Sequence, residues 1–417
     1  MARAVLALCA VALLCAGASG AARADAPTVQ DVTITGAGGV QLACEYVLPA
    51  GTPPDGGWPG LVLFPGLGAA ATPGTDFAAA NFASVSCDER GTGSSEGDPD
   101  LAGPADAQDA QDIYDWLAAR PEVSDTEIGA EGEDLGGAEV WNAAVAGVPF
   151  KAIVPVDTWS SLARALKPHG YLNVNFADLV GSWAPPSWNT APGIAARSYL
   201  PHLHSLTVPT LIVHERESLL VDLSQATTAY ERLSGPKRLF IGWAASSPVP
   251  EAVAWFTHYL AGGPAVGSGV EIQHEQPDAG TTTFPGLPPT RSVTVDLPGR
   301  AKKRSVWLPG GPLETFGSGS VTIRYSNASW TQAVARVTTA NGALVTEGTA
   351  TITGLNGVVT LRLLNEAMLL RRGQRLIVKL QRRDDEFRGS GGGTGSGTIT
   401  VGRVTLKLSV LARAVSR

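Results

Sequence analysis

The chain has 417 residues, which is long for a single hydrophobic core and favours two domains. Hydrophobic residues make up 44% of the sequence and charged residues 17%, as in an ordinary globular protein, and 49 glycines with 29 prolines indicate many turns. The formal net charge of −7 provides no overall basic field, which argues against nucleic acid or anionic lipid as a partner.

The N-terminal residues have the features of an export signal. Arg3 precedes an apolar run over residues 5–16, and Ala22-Arg23-Ala24 fits the small-residue pattern of a cleavage site. Residues 1–24 are therefore predicted to be a signal peptide, and the mature chain is expected to be secreted or extracytoplasmic. Cys15 offers a lipoprotein as the alternative, although the bulky leucine before it argues against lipidation. No stretch reaches the roughly 18 consecutive apolar residues of a membrane span.

From residue 27 to residue 262, strand-like and helix-like segments alternate. The runs DVTIT and VQLACEYVLP predict a leading antiparallel pair, and the later short apolar runs predict buried parallel strands: GLVLFPG, FASVSCDERG, TEIGAEG, KAIVPVD, PTLIVHE and KRLFIGW. Helices are predicted over residues 105–120, which Pro121 ends, and over 226–233 and 250–260. This alternation predicts a doubly wound α/β domain.

Residues 158–206 interrupt the alternation between two predicted strands. The segment is rich in Trp, Pro and Asn, as in LVGSWAPPSWNTAPG. It is either a cap over a cleft or a long structural insertion, and the sequence favours neither.

After residue 262 the pattern changes to alternating apolar and polar residues, as in SVTIRYS and RLIVKL, which is typical of half-buried antiparallel strands. Asn341-Gly342 and Asn356-Gly357 predict tight hairpins, and the segment GSGGGTGSG over residues 389–397 predicts a loop. Residues 270–415 are therefore predicted to form a β-sandwich or jelly roll, with the domain boundary between residues 262 and 272.

Several stretches, in this order, resemble the X-Pro dipeptidyl-peptidases and bacterial cocaine esterase. They are VSCDERGTGSSEG (85–97), DWLAARPEVSDTEIG (115–129), GEDLGG (132–137), ERLSGPKRLFIG (231–242) and LLRRGQRLIVKL (369–380). The resemblance implies an α/β-hydrolase fold with a cap insertion, followed by a C-terminal jelly-roll β-sandwich. It also implies that the strands carrying Cys44 and Cys87 are neighbours, which predicts a disulfide between these residues. The alternative is two buried free thiols.

The resemblance places Asp134 at the position of the hydrolase nucleophile. This position lies on a sharp strand-to-helix turn, which Gly132, Gly136 and Gly137 leave open. A carboxylate can act as a nucleophile through an ester intermediate, but water activated by a base must then cleave that ester. The backbone N–H groups of Leu67 and Leu135 are the predicted oxyanion hole.

The other two catalytic positions of the family are also changed. No histidine occurs from residue 239 to residue 257, and the family's histidine position is occupied by Ala245, with a register uncertainty of one residue. Ser218 stands at the position of the family's aspartate. His214 is a possible alternative base at the end of a strand, where the competing interpretation is a residue hydrogen-bonded to backbone.

A metal or another cofactor is not predicted. The sequence contains no nucleotide-binding loop, zinc spacing or haem motif. Carboxylates gather near the predicted strand ends, namely Asp88, Glu89, Glu131 and Glu133, and they could bind a cation through oxygen ligands. Strand-end acids that cap helices or face water are the competing interpretation, which is favoured.

Three functions are compatible with these residues. The missing histidine favours an exported family member that has lost serine-hydrolase catalysis and binds an unknown ligand as a scaffold. The second is an active hydrolase of esters or peptides with Asp134 as nucleophile and a base that the sequence does not identify. The third is carbohydrate or surface binding through the jelly roll, for which Trp307 and Trp330 are candidates unless they pack in the core. The ligand and the oligomeric state stay open.

Overall fold

The computed structural model describes residues 26–218, 220–242, 250–274, 280–310, 312–382, 387–388 and 397–413. The predicted signal peptide and Ala245 lie outside these residues. Within the described ranges, no helix combines the length and the apolar character needed to cross a membrane.

The N-terminal part of the chain is built on one large sheet. The first eleven strands are β1 (Thr28–Thr35), β2 (Gln41–Leu48), β3 (Trp58–Phe64), β4 (Ala83–Cys87), β5 (Val123–Glu133), β6 (Ala152–Val156), β7 (Leu172–Asn173), β8 (Thr210–Glu215), β9 (Lys237–Gly242), β10 (Gly269–Gln273) and β11 (Thr281–Phe284). All except β7 join in the order β1-β2-β4-β3-β5-β6-β8-β9-β10-β11. β1 and β2 are antiparallel, and the strands from β4 to β10 in this order are parallel. The predicted α/β layer is thus confirmed.

In the described residues, eight α-helices accompany this sheet. They are α1 (Thr75–Ala79), α2 (Pro104–Ala118), α3 (Leu135–Ala146), α4 (Leu162–Leu166), α5 (Val174–Gly181), α6 (Ala191–Ala196), α7 (Ser224–Arg232) and α8 (Pro250–Ala261). The three predicted helices correspond to α2, α7 and α8. α2 begins at Pro104 because a proline in the first turn loses no intrahelical hydrogen bond.

The central strands of the sheet are buried on both faces. Adjacent residues such as Leu61 and Val62 belong to different apolar clusters, since alternate side chains of a strand point to opposite sides. One cluster includes Trp141 of α3, and the other includes Phe256 of α8. Burial of both faces explains why these strands appear in the sequence as unbroken apolar runs.

Cys44 and Cys87 form the disulfide that the family resemblance implied. They are directly opposite each other on the antiparallel strands β2 and β4, with an S–S distance of 2.03 Å. Both residues are buried at 4–5% exposure.

Removal of this disulfide is expected to lower the free energy of unfolding. The bond closes a sequence separation of 43 residues, and loops of this size correspond to a stabilisation of about 2–4 kcal/mol. The double variant Cys44→Ala with Cys87→Ala should therefore unfold at a lower denaturant concentration than the wild type. An equal midpoint for the oxidised wild type and the double variant would contradict this expectation.

The C-terminal part forms a second, all-antiparallel sheet. The strands of the C-terminal part are β12 (Thr290–Leu297), β13 (Lys303–Trp307), β14 (Leu313–Glu314), β15 (Ser318–Ser326), β16 (Gln332–Thr339), β17 (Leu344–Thr351), β18 (Gly357–Asn365), β19 (Leu369–Leu370), β20 (Arg375–Gln381), β21 (Phe387–Arg388) and β22 (Thr400–Leu411). Eight of them pair in the order β12-β22-β15-β18-β17-β16-β20-β13 around a separate apolar core. The expected C-terminal β-sandwich after an α/β-hydrolase fold is confirmed.

Three details of this region refine the sequence-based expectations. β10 and β11 extend the first sheet, so the second sheet begins at Thr290 rather than near residue 270. Asn341-Gly342 lies in the turn between β16 and β17, whereas Gly357 is already the first residue of β18. Trp330 is buried at 5% exposure, while Trp307 on β13 is 66% exposed.

The segment over residues 158–206 contacts both the α/β layer and the β-sandwich. A Cβ atom on Gly68 would lie only 2.8 Å from the ring of Trp183, so this segment packs against the loop after β3. On its other side, the hydroxyl groups of Tyr171 and Thr351 are 2.6 Å apart, and β7 pairs with β21. The interpretation of the segment as a cap stays a prediction, and the packing of Trp183 is compatible with it.

Candidate functional site

Asp134 occupies the sharp turn between β5 and α3. Its backbone has φ 52° and ψ −112°, a conformation that L-residues adopt only under constraint from the surrounding fold. The N–H of Asp134 donates to the carbonyl of Val156 at 3.1 Å, and its own carbonyl accepts the N–H of Ala138 at 3.2 Å. These bonds hold the strained residue between the strand and the helix.

Glycines around this turn permit a contact between backbones that side chains would prevent. A Cβ on Gly136 would lie 2.1 Å from the carbonyl oxygen of Phe64, and a Cβ on Gly132 would lie 2.4 Å from the carbonyl carbon of Gly136. Because backbone atoms cannot move aside as a flexible side chain can, the motif GEDLGG is required by packing.

Asp134 lies in a cleft of about 480 Å³. The cleft is formed by the ends of β3 and β5 together with the loop over residues 65–77, and its lining includes Leu67 and four carboxyl groups: Asp76, Glu131, Glu133 and Asp134. Leu135 is the first residue of α3, where backbone N–H groups lack a partner within the helix. The role of Leu67 and Leu135 as an oxyanion hole stays a prediction.

Two of these carboxyl groups have raised pKa values. Desolvation, followed by the charge of Asp157, raises the pKa of Asp134 to about 6, although its side chain is exposed to the cleft. Desolvation and the charges of Asp134, Asp157 and Glu215 raise the pKa of Glu133 to about 7. Both groups can therefore exchange a proton near neutral pH.

All six histidines of the chain lie within the described residues, and none lies in the cleft at Asp134. Among these six residues, none lines the cleft and none is hydrogen-bonded to Asp134. They are His169, His202, His204, His214, His258 and His274. Among the described residues, no histidine is therefore placed beside Asp134 as the base of a serine hydrolase would be, and the resemblance puts Ala245 at the family's histidine position.

His214, the alternative base considered from the sequence, lies beside a different carboxylate. It ends β8, is 1% exposed, and its Nδ1 lies 3.2 Å from Oδ1 of Asp157. Burial lowers the pKa of His214 to about 4, so its imidazole is neutral near pH 7. A catalytic role for His214 stays a prediction.

Asp157 is a residue of this site that the sequence analysis missed. It follows β6, accepts the backbone N–H of Glu215 at 3.3 Å and is hydrogen-bonded by the hydroxyl of Ser218. Burial raises the pKa of Asp157 to about 6. A carboxylate from a neighbouring strand thus lies beside Ser218, the residue that the resemblance places at the family's acid position. The sequence feature that could have identified Asp157 is its position at the end of the apolar run KAIVPVD.

The loop that carries Ser218 is tied to the β-sandwich. Arg216 in this loop is 1% exposed, and its guanidinium donates to the carboxylate of Glu314 and to the carbonyls of Gln273 and Ala367. The N–H of Ala367 in turn donates to the carbonyl of Arg216 at 3.0 Å. This loop therefore has a structural function in joining the two sheets.

The cation alternative gains no support from the geometry. In the part of the chain that the structure describes, no group of three or more His, Cys, Asp or Glu residues is arranged to hold a metal ion. The carboxylate of Asp88 accepts the backbone N–H groups of Ala71 and Ser94, each at 2.8 Å, as a structural cap would.

Together, the parallel sheet, the strained turn at Asp134 and the appended β-sandwich define an α/β-hydrolase-fold protein with a C-terminal β-domain. Residues 38–190 match the family model described as X-Pro dipeptidyl-peptidase (S15 family). This segment contains the motifs DERGTG and GEDLGG, so the match confirms the resemblance that these motifs indicated.

Solved structures share the fold over nearly the whole chain. A CocE/NonD family hydrolase from Staphylococcus aureus superposes with a TM-score of 0.67 and 12% identity, over 93% of this chain and 97% of that chain. An aminopeptidase from a marine sediment Thaumarchaeota archaeon superposes with a TM-score of 0.64 and 13% identity, over 93% of this chain and 97% of that chain. An α-amino acid ester hydrolase superposes with a TM-score of 0.63 and 14% identity, over 93% of this chain and 96% of that chain. At these identities the likeness shows the fold alone. No curated protein matches the sequence.

Proposed function

We propose that this chain is an exported member of a hydrolase family that has lost serine-hydrolase catalysis and binds a small ligand in the cleft beside Asp134. The observation that carries the proposal is the placement of the six histidines, none of which lines the cleft or is hydrogen-bonded to Asp134. In a serine-protease triad, loss of the histidine alone lowers turnover by about 10⁶. The cleft volume of about 480 Å³ is within the usual range for small-molecule sites.

Electrostatics at the turn supports the same conclusion. Above pH 6 the side chain of Asp134 is mostly ionised, and a negative charge about 4 Å from a developing oxyanion costs about 4 kcal/mol at an effective dielectric constant of 20. One oxyanion-hole donor contributes about 3–4 kcal/mol to catalysis. The carboxylate therefore offsets about one donor of the predicted oxyanion hole.

Export is supported by two features. The sequence of residues 1–24 has the pattern of a cleaved signal, and the disulfide between Cys44 and Cys87 is compatible with an oxidising compartment. Mass spectrometry of the protein secreted by an expressing bacterium tests this part: a mature N-terminus near Asp25 is expected, and an intact N-terminus in the cytoplasm would contradict export.

Turnover assays test the loss of catalysis. The wild type and Asp134→Asn are expected to hydrolyse p-nitrophenyl acetate and an X-Pro p-nitroanilide at the same background rate. Asp134→Ser is the matched control, because it restores a hydroxyl at the turn without providing a base, and we expect no gain in rate. Activity that Asp134→Asn abolishes would contradict the proposal.

Such activity would instead support the second candidate, an aspartate-based hydrolase. Glu133 favours this candidate, since it lines the same cleft and its pKa of about 7 suits a general base. In that case the activity of the wild type should show an inflection near pH 7, and Glu133→Gln should remove the activity.

A further inference from the structure

The charges of the chain are divided unevenly between its two sheets. Residues 290–417 carry 19 Lys and Arg against 7 Asp and Glu, a formal charge of +12, whereas residues 1–289 carry 12 against 31, a charge of −19. Three of the seven acids, at positions 384–386, lie outside the described residues. The overall charge of −7 thus conceals a basic C-terminal region. Polyanionic partners, which the overall charge disfavours, are therefore compatible with that region.

Several of the basic side chains lie together on the outer face of β13 and β20. Lys303 and Trp307 share one side of β13, because alternate residues of a strand point the same way. Their partners in register on β20 are Lys379 and Arg375, respectively. All four side chains are exposed, whereas Val378 between the two β20 cations is buried. We call this surface, with Ser305 between Lys303 and Trp307, the β13–β20 face.

The cations of the β13–β20 face have no acidic partner among the described residues. Lys303, Lys379 and Arg375 form no salt bridge there, although the guanidinium of Arg375 donates to Oγ of Ser305 at 2.6 Å. Trp307 is 66% exposed, which is unusual for the largest apolar side chain. An exposed indole next to unpaired cations offers contacts that the protein itself does not use.

The chemistry of the β13–β20 face fits a sugar polymer that carries acidic groups. An indole presents a flat apolar surface, which matches the C–H face of a sugar ring, and Lys and Arg form charge-assisted hydrogen bonds with carboxylate or sulfate groups. A single exposed aromatic residue gives little apolar area for insertion into a membrane. The face belongs to a sheet and presents no helix of the kind that enters the major groove of a DNA duplex.

We propose that the β13–β20 face binds an acidic polysaccharide, with Trp307 against a sugar ring and Lys303, Lys379 and Arg375 against the acidic groups. This binding is separate from the proposed ligand site beside Asp134. Attachment to such a polymer would place the cleft of an exported protein at a polysaccharide-bearing surface.

Affinity electrophoresis of the full-length protein in gels containing polygalacturonate tests the proposal, with dextran as the neutral polymer. Polygalacturonate is expected to retard the wild type and dextran is not. Added salt should weaken the binding because the contacts release counterions. Trp307→Ala is expected to weaken binding about tenfold, a typical effect for an aromatic contact residue. Lys303→Glu with Lys379→Glu should weaken it further, and unchanged melting temperatures would show that the variants are folded.

A matched control separates this surface from net charge alone. Arg362→Glu with Lys407→Glu makes the same charge change at exposed positions of β18 and β22, and it is expected to bind nearly as well as the wild type. Equal weakening by this control would overturn the proposal. So would full binding by Trp307→Ala, or binding only to phosphatidylglycerol vesicles or duplex DNA when these replace polygalacturonate.

Discussion

Raising the pH from 6.5 to 8.5 is expected to lower the free energy of unfolding of this protein, because each buried carboxyl group that stays protonated in the folded state costs about 1.4 kcal/mol per pH unit relative to the ionised unfolded chain. The groups are Glu89, Asp106 and Glu139, which line a small cavity of about 20 Å³. Burial raises the pKa of Asp106 to about 7, and it holds the pKa values of Glu89 and Glu139 well above their usual range.

The surroundings of this cluster explain the raised pKa values. Arg90 pairs with Asp109 at 2.7 Å and approaches Asp106 at 3.7 Å, while Glu139 has no hydrogen bond or ion pair with a described residue. The other charged or titratable groups around the cluster are Asp88, Asp100, Arg197 and Tyr199. Two guanidinium groups cannot balance this many carboxylates in a medium of low dielectric constant, so some of the carboxyl groups remain protonated.

The direction of the pH effect follows from proton binding. A carboxyl group with a raised pKa in the folded state binds more protons there than in the unfolded chain. Stability therefore falls as the pH rises from the unfolded pKa through the folded pKa. His214 acts in the opposite direction, since its lowered pKa destabilises the fold as the pH falls below about 6.5. Measurement above pH 6.5 avoids that contribution.

Urea unfolding at several pH values measures this effect. Glu139→Gln is expected to reduce the slope of stability against pH, because an amide cannot ionise. Glu127→Gln changes a partly exposed carboxylate that pairs with Lys151 at 3.0 Å, and it should leave the slope unchanged. Stability that is constant or rises between pH 6.5 and 8.5 would show that the cluster does not stay protonated in the folded protein.

Features of the fold that depend on local patterns could be predicted from the sequence. The motif GEDLGG specified the turn at Asp134, because its glycines are required wherever two backbones approach closely. Unbroken apolar runs specified buried parallel strands. The disulfide could be predicted only from the family resemblance, because β2 pairs with β4 and not with β3, the next strand along the chain.

Features that depend on long-range contacts could not be predicted. Asp157 belongs to the site because β6 lies beside β5, and its backbone φ of 39° carries no sequence signature in a non-glycine residue. The β13–β20 face joins strands about 70 residues apart, so neither strand alone indicates that Lys303 lies opposite Lys379. Overall net charge obscured this face because it averages an acidic and a basic region.

The contact between Arg216 and Glu314 is expected to produce the largest effect of a single substitution. Both side chains are almost fully buried, at 1% and 0% exposure, and they join the loop after β8 to strand β14. Glu314→Ala should lower the free energy of unfolding by about 3–5 kcal/mol, because it leaves the guanidinium buried without its charge partner. The midpoint of urea unfolding measures this loss.

Two further variants separate the charge from the packing. Arg216→Met with Glu314→Leu removes both charges while retaining apolar volume, and it is expected to recover most of the stability that Glu314→Ala loses. Arg403→Ala breaks an exposed pair with Asp296 and should leave the midpoint unchanged. If the paired substitution is as unstable as Glu314→Ala, the hydrogen bonds from Arg216 to the carbonyls of Gln273 and Ala367 hold the two sheets together. If the paired substitution recovers the stability that Glu314→Ala loses, the ion pair adds little net stability, and the fold requires only that neither charge be buried without its partner.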